Sequence, residues 1–341
     1  MQMKNIYLAS LFSLLSAGVF SQQDRNLSTW YQSPVLYNSA AVATGDEDYG
    51  FFTNFRSQWL TIPEPGIGLR TNTLTAEFKI PDGFSGNNNF GIGLNALNDQ
   101  TGSAKLMTTN ISIPINYTLS LDRNNKVSIG ISPGFYQQSL DRTAQTFENQ
   151  WNGDQFIDLA DIEIGLNDSY ASIDLGAGVF YQYTMRNKTR FYGGLALNHL
   201  TRQKINFSFG GDRIYMQSVV QLGADITSRK KDLRLQPSLL YFKTGTGYNL
   251  ITGMTFEHVL RESSQITTIN KTTCVNYGFY YRHNDALITT LGFKIKGIRF
   301  GLAFDANLSY LSQATASVGA IEIYFKSIHL YKNSSSRTKL K

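Results

Sequence analysis

Apolar and polar residues alternate along much of this chain. In "NISIPINYTLSL", Ile111, Ile113, Ile115, Tyr117, Leu119 and Leu121 share one face. Asn110, Ser112, Pro114, Asn116, Thr118 and Ser120 share the other. "IRFGLAFDANLSY" repeats the pattern: Ile298, Phe300, Leu302, Phe304, Ala306, Leu308 and Tyr310 alternate with Arg299, Gly301, Ala303, Asp305, Asn307 and Ser309. Successive side chains of a strand point to opposite faces, so each segment has one apolar wall and one small or polar wall.

Three details favour a membrane barrel over a soluble sandwich. The runs span roughly 9 to 13 residues, the length a tilted strand needs to cross a bilayer, against about five or six in globular sheets. The second wall is rich in Gly, Ser and Asn with an occasional charge, as a wet lumen requires. Tyr and Phe gather near run ends, as in "FYQQSL", "LLYFK" and "GFYYR", where an aromatic girdle meets the bilayer interface.

About 14 strands are expected, starting near Tyr49, Asn72, Asn89, Thr109, Lys126, Ala171, Thr189, Ile214, Asp232, Tyr248, Thr272, Ala286, Ile298 and Ala316. Even-numbered connections include the short, charged turns "DRNN", "MRNK", "SRKK" and "KIKG"; short turns mark the periplasmic side of such a barrel. The long segment from Leu140 to Tyr170 then lies outside. Val259 to Lys271 breaks the rule, being long yet periplasmic by this count, and marks either an exception or a miscounted strand. "KTGTGYN" (Lys243 to Asn249) reads as a hairpin turn.

Composition places this sheet outside the cytoplasm. Residues 1–21 read as a secretory signal: Lys4, an apolar run from Ile6 to Val19, and small residues at Val19 and Ser21. After residue 21 no window offers about 18 uninterrupted apolar residues, so no helical span is expected. The expected organisation is 1–21 signal peptide, 22–48 N-terminal segment, 49–327 transmembrane antiparallel β-barrel in an all-β chain, and 328–341 basic tail. Segment 22–48 carries Trp30, Tyr31 and Tyr37 without clean periodicity; it is expected to enter the lumen as a partial plug with a short helical turn, the alternative being a flexible periplasmic arm. Cys274 has no partner for a disulfide and reads as a small buried or lipid-facing residue. The net charge of +6 is scattered, without a basic stripe, which argues against nucleic-acid binding.

One stretch interrupts its own strand: "NFRSQWLTIPEPGIGLR", Asn54 to Arg70. Trp59 suits the interface. Pro63 and Pro65 cannot donate ladder hydrogen bonds and are expected to end the strand. Arg56 presents a planar fork for carboxylates or carbonyls. Two readings stand: a strand cap with a salt bridge inside the lumen, or a corner that grips a partner chain or the N-terminal segment.

The succession "QQDRNLSTWYQSPVLYNSAAVATG", "FRSQWLTIPEPG" with "LRTNTLTAEF", "FGIGLNALNDQTG" and "YYRHNDALITTLGFKIKGIRFGLAFDANLS" resembles the PorP/SprF family of outer-membrane proteins of the type IX secretion system. The resemblance covers essentially the whole mature chain. Its most specific pieces are Arg56-Ser57-Gln58-Trp59 and Tyr37-Asn38. One departure is Asn38-Ser39-Ala40, where the family often has Asn-Pro-Ala and the proline implies a tight turn. The resemblance implies a multi-pass protein of the bacterial outer membrane, in contact with its lipid and with other secretion-system components. It also implies a role in export and surface anchoring of large adhesins through their C-terminal sorting domain, and a link to gliding motility. Candidate partner-binding residues are Tyr31, Tyr37, Asn38, Arg56, Gln58 and Trp59.

No catalytic residues and no cofactor are expected. There is no nucleophile elbow or phosphate loop. His199, His258, His283 and His329 lack metal-ligand spacing. Asp154, Asp158, Asp161 and Glu163 carry calcium-type oxygens, but not at EF-hand spacing. The rival functional reading is a diffusive porin.

Overall fold

The computed structural model describes residues 26–330 apart from position 60 and segments 62–67, 84–87, 103–104, 142–153, 155–168, 205–212, 229–231, 262–272, 310–311 and 313–314. The expected signal peptide, the basic tail beyond residue 330, both prolines of the Asn54–Arg70 stretch, and Asp158, Asp161 and Glu163 lie outside these residues.

Fifteen strand segments form one sheet: β1 (Tyr49–Gln58), β2 (Leu69–Pro81), β3 (Asn89–Thr101), β4 (Leu106–Ser112), β5 (Ile115–Ser120), β6 (Asn125–Ser139), β7 (Ser169–Thr184), β8 (Arg190–Asn198), β9 (Gln217–Thr227), β10 (Leu233–Thr244), β11 (Gly247–Arg261), β12 (Thr273–Arg282), β13 (Ala286–Ile295), β14 (Ile298–Asn307) and β15 (Val318–His329). Every neighbour is antiparallel. β1 pairs with β15 from Tyr49↔His329 to Gln58↔Ala320, so the sheet closes on itself.

β4 and β5 are one strand with a gap. Both pair with β3 and with β6, and the register is the same on either side of the gap. Pro114 has no N–H to donate, which interrupts the ladder there. Its neighbours keep the strands together: Ile113 N donates to Pro133 O, and Gly93 N donates to Pro114 O. Counted as passes, the barrel has the expected fourteen strands.

The described C-terminal end, at Leu330, and the start of β1 lie at one end of the barrel, the terminus-bearing end; Ser28, near the first described residue, lies toward the other, beside Arg56 and Glu322. The turns 121–124, 185–189 and 296–297 lie at the terminus-bearing end too, as do Ser228 and Asp232. β11 ends and β12 begins at the same end, at Arg261 and Thr273, so the strand count stands; residues 262–272 between them lie outside the described residues. The far end carries the two-residue hairpin of Gly245 and Thr246, in which Gly245 has φ +61°, as "KTGTGYN" led one to expect.

The apolar phase of each strand faces outward. Leu291, Leu302 and Ile323 are about half exposed in the middle of their strands, where only lipid can cover them. Two stacked sheets would have buried these residues between them. Aromatic pairs ring both ends, among them Phe51–Phe78, Phe90–Tyr117 and Phe293–Phe300 at the terminus-bearing end and Tyr241–Tyr248 at the far end.

Two expectations need correction. β1 ends at Gln58, before either proline. Trp59 turns the chain with φ +58°, an uncommon conformation for a bulky residue, and its N–H donates to Gly319 O. Nor is the inner wall only polar and small: Phe52, Leu240, Ile251, Ile288 and Tyr324 point inward and are buried. Of the two placements expected for Cys274, the structure has the buried one, on the inner face.

Lipid-facing residues should tolerate apolar exchange and reject charge. Leu291→Arg is expected to cost roughly 2–4 kcal/mol at mid-bilayer depth, whereas Leu291→Ile should stay within about 1.5 kcal/mol. Reversible unfolding from vesicles in denaturant checks both.

Candidate functional site

The lumen is filled by the segment that precedes β1. Residues 27–43 make three 3-10 turns, Trp30–Gln32, Pro34–Leu36 and Ser39–Ala41. Leu27, Trp30, Leu36 and Tyr37 pack against inward Phe52, Val219, Leu240, Phe242, Ile251, Tyr280, Ile288 and Tyr324. Each large apolar side chain buried this way contributes about 1.5–3 kcal/mol. The inward apolar residues of the wall therefore form the plug's share of the core.

Such irregular backbone leaves carbonyls without partners, and the barrel wall supplies them. Asn116 Nδ2 donates to Ala40 O at 2.8 Å and Val42 O at 2.7 Å. Gln221 Nε2 reaches Pro34 O at 3.0 Å, Asn95 Nδ2 reaches Val35 O at 3.3 Å, and Asn198 Nδ2 reaches Tyr37 O at 3.0 Å. Lys326 Nζ reaches Gln32 O at 2.6 Å. A buried carbonyl without a donor costs about as much as a lost hydrogen bond, so the amides of the inner wall are the plug's hydrogen-bond complement.

Asn38 shows why the turn survives without proline. Its Oδ1 accepts from Ala40 N at 3.0 Å and so holds the turn at Ser39. Its Nδ2 crosses to Val179 O at 3.1 Å. The glycines beneath it are needed for space: a Cβ at Gly178 would sit 2.1 Å from Asn38 Oδ1, and one at Gly130 would sit 2.7 Å from the Ala40 backbone.

At its start the plug is tied by a knot of buried charges. Arg56 Nη1 donates to Ser28 Oγ and to Glu322 Oε1, both at 2.7 Å, and Nη2 to Asp305 Oδ2 at 2.9 Å. Arg282 donates to Asp305 Oδ2 at 2.9 Å and to Ser28 Oγ at 2.7 Å. Glu322 accepts from Ser28 N at 2.5 Å and Thr29 N at 3.0 Å. Ser28 Oγ donates to Asp305 at 2.7 Å. A hydroxyl has one proton and two lone pairs; here both guanidiniums take the lone pairs and Asp305 takes the proton. Two cations and two anions, each 1–2 % exposed, balance around one serine.

The structure thus unites both readings of Arg56: it is a salt bridge within the lumen and it grips the N-terminal segment. Tyr37 and Asn38 are equally engaged inside the chain; Tyr37 Oη accepts from Leu27 N at 3.2 Å. Tyr31 is only half-buried, stacked on Tyr280 at 4.9 Å, and lines the space below the plug. Gln58 and Trp59 are half-buried at the far rim. The six candidates therefore do not form one surface. Sequence reading missed Ser28, Arg282, Asp305, Glu322 and Asn116 as the residues that meet Arg56 and Asn38. One signal was available: the four charged ones of the knot all sit on the inward phase of their strands. A second buried pair, His199 Nδ1 with Asp174 Oδ2 at 2.8 Å, lies at the far end. No cluster of three or more metal-type side chains occurs among the described residues.

Below the plug, at the terminus-bearing end, a vestibule of about 670 Å³ remains. Its rim includes Asp46, Glu47, Lys188, Arg190, Asp225 and Lys326. Burial disfavours the Glu47 carboxylate, but the Lys326 charge, its own backbone and the Lys79 charge outweigh burial and hold its carboxyl below the usual range. A depressed folded-state value stabilises the fold above the unfolded value, and that share is lost as pH falls through it.

Removing Arg56 leaves Asp305 and Glu322 short of countercharge. Arg56→Ala should lower stability by roughly 3–5 kcal/mol, and Asn116→Ala, which orphans two carbonyls, by roughly 1–3 kcal/mol. Denaturant titration in detergent measures both. In Arg56→Ala, red-shifted emission from Trp30, wholly buried in the plug, should precede loss of the sheet signal.

Among solved structures, the barrel is similar to the toluene transporter TbuX of Ralstonia pickettii, at 11 % identity and TM-score 0.49, over 86 % of this chain and 93 % of that one. It is also similar to the toluene transporter TodX of Pseudomonas putida, at 7 % identity and TM-score 0.46, over 89 % and 93 %. A third is a FadL homologue of Pseudomonas aeruginosa, at 11 % identity and TM-score 0.43, over 85 % and 91 %. Likeness at this level carries nothing about ligands. No curated protein sequence matches the chain. The family profile described as "Type IX secretion system membrane protein PorP/SprF" matches residues 19–326. This barrel of the bacterial outer membrane belongs to the PorP/SprF family of type IX secretion system membrane proteins.

Proposed function

We propose that this protein is a non-enzymatic partner of secreted surface proteins: it assists export and surface anchoring of particular large adhesins by binding their C-terminal sorting domain. Family membership supplies the secretion context. The filled lumen is the observation that carries the reading within that context. Plug residues from Leu27 to Val42 are almost all buried and bonded to strands around the barrel, including β1, β3, β5, β7, β8, β9 and β15. A diffusive porin needs a continuous wet path, and such a plug argues against one. A scaffold that docks a client needs rigidity and exposed determinants at its ends. Tyr31 in the vestibule and Gln58 and Trp59 at the far rim remain the accessible candidates for client contact. Arg56, Tyr37 and Asn38 act by holding the plug that shapes the vestibule. A role in gliding is an extension of the same client handling.

Two measurements test the proposal. Deleting the gene should abolish surface display of one or a few adhesins while general export through the system continues; undiminished display would sink the client role. Purified protein in planar bilayers should be silent, with steady conductance appearing only in plug-loosening variants such as Arg56→Ala. Steady conductance from the native chain would instead favour the porin.

A further inference from the structure

The vestibule is electrically lopsided. Strands β10, β11, β13 and β14 bring Arg234, Lys294 and Arg299 together around a single carboxylate, Glu257. Glu257 is 1 % exposed and accepts from Arg234 Nη1 at 3.1 Å and from Arg299 Nη2 at 2.9 Å. One anion thus answers two guanidiniums. Lys294 has no hydrogen bond or ion pair among the described residues, and Arg299 Nε is buried without an acceptor. The sheet register sharpens the imbalance: Lys294 lies directly opposite Arg299 across β13 and β14. Like charges facing each other on one side of a sheet repel. On the other flank of Arg299, Lys326 is its register partner across β14 and β15, but the Lys326 charge is answered by Glu47 and Glu77.

We infer that this corner is an anion subsite, and that the vestibule receives a carboxylate-bearing peptide segment of a partner protein from the terminus-bearing side. The inference rests on the client-binding reading above and names the face and the chemistry. Uncompensated cations in a partly desolvated wall gain from an incoming carboxylate what they lack from the protein. A carboxylate offers two oxygens, which suit the unpaired Arg299 Nε and the mobile point charge of Lys294. The volume of about 670 Å³ lies within the range of preformed ligand sites. Around the cations, Tyr31 and Tyr192 offer ring faces and Gln236, Ser238 and Thr227 offer hydrogen-bonding groups, which fits a peptide better than a bare ion. Short turns at this end place the opening toward the periplasm, where a client emerging from the inner membrane would arrive.

The test uses the full chain in detergent and two dye-labelled peptides, Gly-Glu-Glu-Gly and Gly-Gln-Gln-Gly, followed by fluorescence anisotropy. The native protein should bind the acidic peptide at least tenfold more tightly than its amide counterpart, with affinity falling as salt rises. Lys294→Glu relieves the repulsion with Arg299 and so should fold; it should bind the acidic peptide at least tenfold more weakly. Lys105→Gln, whose exposed ion pair with Asp141 lies at the opposite end, should bind as the native chain does. Equal binding of the two peptides, or native-level binding by Lys294→Glu, overturns the inference. In cells, Lys294→Glu should reach the outer membrane yet reduce adhesin display. If gene deletion leaves display intact, the client reading itself fails. If deletion abolishes display while Lys294→Glu supports it fully, the anion subsite alone fails.

Discussion

A peptide group buried away from water must find a hydrogen-bond partner inside the protein, and this molecule meets that demand twice with the same strands. Facing lipid, the demand is met by closure: β1 pairs with β15 along its whole length, so no edge is left open. Facing inward, the demand comes from the plug, whose 3-10 turns leave carbonyls free. There the wall replaces water with Asn95, Asn116, Asn198, Gln221 and Lys326. The inward phase of the strands is thus neither a generic wet channel wall nor an ordinary core.

The charged knot follows from the same logic. Arg56, Arg282, Asp305 and Glu322 are too buried to stand alone; their charges balance two against two, and Ser28 links them by accepting from both guanidiniums and donating to Asp305. A buried ion pair of this kind is weak evidence for net stability, since desolvation offsets attraction. Its value lies in specificity: an irregular segment with few local restraints is fixed at one place in the lumen. Below the plug the lumen opens as a vestibule, whose cation-rich corner faces the terminus-bearing side. Structure and proposed role meet there, because client recognition needs an exposed determinant on a rigid support, and the plug supplies the rigidity.

Barrel class, strand phase and strand count were legible because period two is a local property, and lipid on one side with a filled lumen on the other reinforces it in every strand. Within segment 22–48, residues 27–43 were legible as a plug from their aromatic content, and residues 1–21 carry the sequence pattern of a signal peptide. Strand starts agree within three residues. The end of β1 was misjudged because prolines were in view, whereas Trp59 turns the chain earlier through a backbone conformation that residue type does not announce. Where the family often has a proline after Asn38 this chain has Ser39, and the Asn38 side chain itself holds the turn.

What the sequence determined by itself is therefore the alternation that sorts each strand into an outward and an inward face, and with it the membrane barrel. Which inward residues meet was decided only by the tertiary structure. Ser28 and Glu322 are 294 positions apart, and Lys294 faces Arg299 through a register that depends on every preceding strand pairing. Alternation fixes the side to which a residue points. Contact across a lumen depends on closure, stagger and the path of the plug, and no local pattern encodes these.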